Sequence, residues 1–146
     1  MDDVDRKILR ELQQDSRMSF TKIAQKIGVS TATVSERVKR LTKSGIICGY
    51  TTILNTSEMG MVTLIAKIKT SQGYGAEDVG NEIAAMRESC CVHHVTGEFD
   101  LIVIAKCTGY NRCSDVIEAI KRTKGVESVD AELVLKTLKE ELKVEM

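Results

Sequence analysis

The stretch FTKIAQKIGVSTATVSERVKRL, residues 20–41, decides the fold of the first third of the chain. Phe20, Ile23, Ala24 and Ile27 fall on one face of a helix, and Ser19 stands where a hydroxyl can accept from an amide of the first turn. Gly28 follows the last periodic residue, a position that favours positive φ. Ser30 opens a second helix with Val34, Val38 and Leu41 as its buried stripe, and Gly45 closes it. Counted from Phe20, the small Ala24 is fifth, Gly28 ninth and the branched Val34 fifteenth. A small residue where two helices touch, a glycine in the turn and a branched residue in the angle predict a helix-turn-helix.

Helical geometry then sorts the second helix of the pair. At about 100° per residue, the side opposite Val34, Val38 and Leu41 carries Ala32, Glu36, Lys39 and Lys43, flanked by Thr33, Ser35 and Arg40. Residues near the helix start reach base edges most easily, so Thr31, Ala32, Thr33, Ser35 and Glu36 are the candidate base readers. Ala32 suits a thymine methyl and Glu36 a cytosine amine. Arg37, Lys39, Arg40 and Lys43 suit phosphate, whose contacts position a protein without reading sequence. Replacing Arg37 and Arg40 is expected to weaken DNA binding and leave the fold intact.

Working outward, Asp2 or Asp3 can cap a first helix carrying Val4, Ile8, Leu9 and Leu12. Ile46, Ile47, Tyr50, Ile53 and Leu54 favour extended chain. From 61 to 69, Val62, Leu64, Ala66 and Ile68 alternate with Met61, Thr63, Ile65, Lys67 and Lys69, a strand with one buried face. Val79, Ile83 and Met86 give a helix stripe, 91–96 a short strand, and 99–107 a central strand. Asn111 can cap a helix carrying Val116, Ile117 and Ile120, and Val129, Ala131, Leu133 and Leu135 give a last strand. The order βαββαβ predicts a ferredoxin-like sheet with two helices on one face. Its other face, with Ile65, Ile102, Ile104 and Val134, is apolar enough to predict a dimer through the sheets.

Composition bounds the function classes. The chain has 146 residues, with 21 Lys+Arg balancing 21 Asp+Glu, which excludes a uniformly basic DNA-coating protein. The charge is nevertheless polarised: ten Lys+Arg face six Asp+Glu over residues 1–50, and the balance reverses afterwards. Within 16–44, Arg17, Lys22, Lys26, Arg37, Lys39, Arg40 and Lys43 stand against Glu36 alone, a pattern suited to phosphate. No apolar run reaches the roughly 20 residues of a membrane span, and the acidic start lacks an apolar signal segment, so a cytoplasmic protein is expected. The odd number of cysteines, 5, at irregular spacing suits a reducing compartment. No phosphate-binding glycine loop or catalytic set is evident, and neither a cofactor nor a resident metal is expected.

The whole pattern resembles the Lrp/AsnC family of transcription regulators. The resemblance rests on Asp2-Asp3-Val4-Asp5-Arg6-Lys7-Ile8-Leu9, Asp15-Ser16-Arg17, the helix-turn-helix and Ser44-Gly45-Ile46-Ile47-Cys48-Gly49-Tyr50. It continues through Val95-Thr96-Gly97-Glu98-Phe99-Asp100, Gly125-Val126 and Val134-Leu135-Lys136. It implies an α+β chain: a winged helix-turn-helix over 1–50, an extended hinge over 51–59, and a ferredoxin-like (RAM) domain over 60–146 that binds effector and mediates assembly. It also implies double-stranded DNA as partner, a homodimer associating further, often to an octamer, and an amino acid as effector. On that reading Gly97 offers backbone amides to a carboxylate, and Glu98 or Asp100 an anion to an ammonium. Many relatives carry Thr where this chain has Ala131, so one hydrogen bond is missing from the implied pocket.

Cys90-Cys91-Val92-His93-His94 places four metal-ligand side chains in five residues, but on a strand they alternate between faces, and interface packing is the expectation. Cys48, Cys107 and Cys113 read as small apolar residues. Two alternatives stand beside a DNA-binding regulator. One is an enzyme like the siroheme decarboxylases, which share this architecture and use histidine at the tetrapyrrole. The other is a ligand-sensing module without DNA binding.

Overall fold

The computed structural model describes residues 1–146, which divide into two compact units. The first comprises Met1–Ile53 with Glu140–Met146, and the second Leu54–Lys139. The last residues, expected in the second domain, therefore belong to the first unit. Their reason is polar pairing on the first helix: the Gln13 side-chain amide donates to the Val144 carbonyl (3.1 Å) and accepts from its N–H (2.8 Å), and Arg10 donates to the Met146 carbonyl oxygen (2.7 Å). No helix is long and apolar enough to cross a membrane.

The first unit is three helices: α1 (Asp3–Gln14), α2 (Phe20–Ile27) and α3 (Thr31–Lys43). Each begins where a capping side chain accepts from the first turn: Asp2 from the Asp5 amide, Ser19 from Lys22 and Ser30 from Thr33. Gly28 ends α2 at φ 75°, the left-handed conformation its position calls for. Ile8, Leu12, Ile23, Ala24, Val34, Val38 and Leu41 converge in one core, so each helix has a single buried stripe. Residues 46–54 carry no strand: nothing in the chain forms a ladder with them, and the apolar Ile46, Tyr50, Ile53 and Leu54 stay exposed.

The second unit is a four-stranded antiparallel sheet of order β2-β3-β1-β4, built from β1 (Val62–Thr70), β2 (Ser89–His94), β3 (Leu101–Cys107) and β4 (Val126–Leu133). Helices α4 (Ala76–Ala84) and α5 (Tyr110–Arg122) connect the strands in the expected βαββαβ order. The register sets Leu101, Ile68 and Val129 in one row and Val103, Ala66 and Ala131 in the next. These rows pack with Val79, Ile83, Cys113, Val116 and Ile120 from the two helices. Ile65, Ile102 and Ile104 alternate to the opposite face, where they are half-buried.

Several boundaries differ from the sequence expectation. Asn111 is not the cap of α5; Gly109, at φ 103°, precedes the helix without a side-chain cap, and its carbonyl accepts from Cys113. β2 begins earlier and stops at His94, because Val95 turns to donate to the Asp100 carbonyl (2.9 Å). β4 stops at Leu133, and Leu135 is exposed. Cys107 and Cys113 are buried as expected, and burial with a hydrogen bond to Cys113 pushes the Cys107 thiol up to about 12, whereas Cys48 is exposed.

Gly125 gives the fold a sharp point of sensitivity. It sits at φ 88° between α5 and β4, and a Cβ there would lie 2.7 Å from Cγ and 2.9 Å from Cβ of Tyr74. Because the clash reaches the Tyr74 Cβ, rotating the ring does not relieve it. Gly125→Ala is expected to destabilise the second unit by about 1–3 kcal/mol, read by urea denaturation, while Gly28→Ala meets no atom and shows only the backbone penalty.

Candidate functional site

The outward side of α3 is the first candidate surface. Thr31, Ala32, Glu36, Lys39, Arg40 and Lys43 are exposed, and Thr33, Ser35 and Arg37 are half-buried. Ser30 shapes its start, accepting from the Thr33 amide (3.0 Å) and pairing with the Thr33 hydroxyl (2.8 Å). That hydroxyl is engaged in the cap, so Thr33 offers its methyl more freely than its oxygen. Ala32, Glu36, Lys39 and Lys43, expected opposite the core stripe, lie on the solvent side of the helix.

Arg37 and Arg40 differ from the two lysines. Arg40 Nη2 reaches both carboxylate oxygens of Asp5, at 2.8 and 2.7 Å, and Arg37 Nη1 pairs with Asp2 and reaches Asp5 at 3.4 Å. Asp5 is 0% exposed, whereas Arg40 is 55% and Arg37 26% exposed. Asp2 and Asp5 also cap each other: the Asp2 amide donates to Asp5 (3.0 Å) and the Asp5 amide to Asp2 (2.9 Å). The Asp5 amide and the Arg37 guanidinium hold the Asp2 carboxyl down at about 2, and the same pairing raises Arg37. Both arginines expected on phosphate are thus already paired with acids at the start of α1, which bears on the expectation that their loss leaves the fold intact. A buried carboxylate depends on them.

The sequence missed Asp5, although a signal was present. Positions 5, 8, 9 and 12 share one stripe, and Asp5 is the acid among Ile8, Leu9 and Leu12. An acid on an apolar stripe asks for a cationic partner.

The loop between β2 and β3 is the second candidate surface. Gly97 adopts φ 118°, and Glu98 is exposed with no hydrogen bond or ion pair. Asp100 is occupied: its Oδ2 accepts from the Thr70 amide (2.7 Å) and the Thr70 hydroxyl (2.9 Å), while its own amide donates to Ile68 (2.9 Å). The Thr70 amide first, then the hydroxyl, hold its carboxyl below the usual range. Asp100 thus braces the loop against the end of β1, a role for Thr70 that the sequence did not indicate. Ala131 pairs opposite Ala66 and packs on the helix-covered core. Cys91 and His93 lie opposite Ile104 and Ile102, while His94 lies opposite Leu101, so the two histidines do not converge on one ligand.

Both lowered carboxylates give an acid dependence of stated sign. A group whose folded-state value is depressed adds stability above its ordinary value and loses it as pH falls through the folded one. For Asp2 that window runs from 3.8 down to about 2. The melting temperature is expected to fall across this range, and Asp2→Asn and Asp100→Asn to flatten the fall; an unchanged profile in both variants would refute the assignment.

Comparison with known proteins agrees with this architecture. Residues 1–42 match the AsnC-type helix-turn-helix domain and residues 63–144 the Lrp/AsnC ligand binding domain. An HTH-type transcriptional regulator of Pyrococcus furiosus is 37% identical over 146 residues, covering 99% of this chain and 98% of that protein. The leucine-responsive regulatory protein of Salmonella typhimurium is 30% identical over 145 residues, covering 96% and 88%. The crystal structure of a Neisseria meningitidis transcriptional regulator in complex with L-Met superposes with a TM-score of 0.87 at 24% identity, covering 99% and 96% of the chains. The relatives are named as regulators, which sets the enzyme alternative aside. The chain belongs to the Lrp/AsnC family and is a transcriptional regulator with a helix-turn-helix and a ligand-binding domain.

Proposed function

We propose that this regulator binds double-stranded DNA through α3 as a symmetric dimer, and that an amino acid tunes its assembly or affinity. The observation that carries the DNA reading is the exposed strip Ala32, Glu36, Lys39 and Lys43, whose side chains make no hydrogen bond or ion pair within the chain. Thr31, Ala32, Thr33, Ser35 and Glu36 read bases, and Lys39 and Lys43 hold phosphate. Two such helices in a dimer enter major grooves about one helical turn apart, which favours palindromic sites.

Dimerisation through the open sheet face is supported by half-buried Ile65, Ile102, Ile104 and Val134, apolar groups that a second sheet would cover. Further association into an octamer follows the family resemblance, and so does a cytoplasmic location. For the effector, Glu98 is the available anion for an ammonium, Gly97 supplies backbone to a carboxylate, and Asp100 positions both. The L-Met bound by the Neisseria regulator supports an amino acid as the class.

Selection of bound sites from random duplexes at fixed salt tests the proposal, repeated with each amino acid added. Recovery of a palindromic site, with affinity or stoichiometry shifted by at least one amino acid, is expected. Failure to enrich any site would leave a ligand sensor without DNA recognition.

A further inference from the structure

The paired acids at the start of α1 carry an inference that rests on the DNA-binding reading above. Asp2 and Asp5 do more than cap a helix. They take the two guanidinium groups of α3, Arg37 and Arg40, which lie one helical turn apart on the flank facing α1. Asp2 is the N-cap of α1 and Asp5 lies in its first turn, whereas Arg37 lies mid-way along α3 and Arg40 in its last turn, 32 to 35 residues further along. Arg40 remains 55% exposed and Asp2 52% exposed, so the network is buried at Asp5 and open to solvent at its rim. An arginine at such a rim has the reach to exchange a carboxylate for a phosphate, since both offer the same paired oxygens.

We propose that Asp2 and Asp5 act as internal counter-anions that hold Arg37 and Arg40 out of phosphate contact, restricting the sequence-independent part of DNA binding to cations such as Lys39 and Lys43. The physical reasoning is a competition. Each phosphate contact releases a counterion and adds affinity for any duplex, so two further arginines on phosphate would raise binding to all sequences alike. Base contacts supply discrimination, and their weight in the total falls as indiscriminate contacts are added. Pairing the arginines within the protein removes that indiscriminate contribution while the same pairs orient α3 against α1. Asp2 and Asp5 are therefore positioning residues, acting on DNA through Arg37 and Arg40.

Asp2→Asn is the cleanest test, because Asn caps a helix as well as Asp but cannot neutralise Arg37. Affinity of the full-length chain for a random-sequence duplex is measured against salt, for the native protein, Asp2→Asn, Arg37→Gln and the double variant. One additional phosphate contact predicts that Asp2→Asn binds about 8-fold more tightly near 0.1 M salt, with an advantage growing about 3.5-fold from about 200 to about 50 mM. Binding to the selected site gains less, so the specificity ratio falls. The gain disappears in the double variant, whereas Arg37→Gln alone leaves affinity close to native. Asp5→Asn with Arg40→Gln repeats the cycle at the second pair.

An unchanged salt slope in Asp2→Asn and Asp5→Asn overturns the proposal. So does a gain that survives Arg37→Gln, because simple relief of repulsion between Asp2 and phosphate would then account for it. If the native chain binds no duplex at all, the DNA-binding reading itself fails, an outcome distinct from both.

Discussion

Replacing Arg37 and Arg40 together with Ala is expected to melt the N-terminal unit about 10–15 °C early, before any effect on DNA is read. The cause is Asp5, which is 0% exposed and accepts from Arg40 at 2.7 and 2.8 Å and from Arg37 at 3.4 Å. Without them its carboxylate keeps only the Asp2 amide at 3.0 Å. Removing one side of a buried pair is costly because the other side stays desolvated. The shift is set at the lower end because Arg40 is 55% exposed and water reaches part of the network. Scanning calorimetry checks it. Adding Asp5→Asn to the double variant should recover part of the loss, since the orphaned charge goes with it. An unaltered melting temperature in Arg37→Ala/Arg40→Ala would show that Asp5 needs neither arginine.

Replacing Lys39 and Lys43 with Ala should do the reverse, sparing the fold and removing DNA affinity. Both lysines are exposed on α3, opposite the Val34, Val38 and Leu41 stripe, and neither side chain makes a hydrogen bond or ion pair within the chain. Two lost phosphate contacts predict affinity about 60-fold weaker near 0.1 M salt and a salt dependence flatter by about 1.8 in the log–log slope. The preferred site should stay the same, because phosphate contacts position the helix without reading bases. Equal affinity of variant and native protein for the selected site would remove α3 from the DNA interface. Stability within about 2 °C of native separates this result from the arginine pair.

Much of the architecture is legible in the linear chain, for an identifiable reason. Ser19, Gly28 and Ser30 act on amides or dihedrals within a few residues of themselves, so their effect is local and visible in the chain. The alternation Leu64, Ala66, Ile68 and Leu101, Val103, Ala105 likewise names the buried face of each strand without reference to its neighbours. The departures lie where local signals compete. Asn111 has a capping side chain, but the chain already turns at Gly109 and the helix starts at Tyr110. The extended stretch 46–54 has strand-forming residues without a ladder partner in the chain.

The candidate site was legible in part, and the divide follows sequence separation. The residues themselves placed Ala32, Glu36, Lys39 and Lys43 on the solvent side of α3, because a helix with one apolar stripe leaves its other side to water. Four positively charged side chains looked equivalent there. Only the crossing of α1 and α3 brought Asp2 and Asp5 to Arg37 and Arg40, from 32 to 35 residues away, and divided those four into two paired and two free. The same holds for Asp100, whose carboxylate was open to a ligand on paper until the end of β1 delivered Thr70 from 30 residues upstream. Periodicity and capping are short-range and survive in a linear string; which charge meets which is a property of the packed chain, since only packing decides what is near and what is dry.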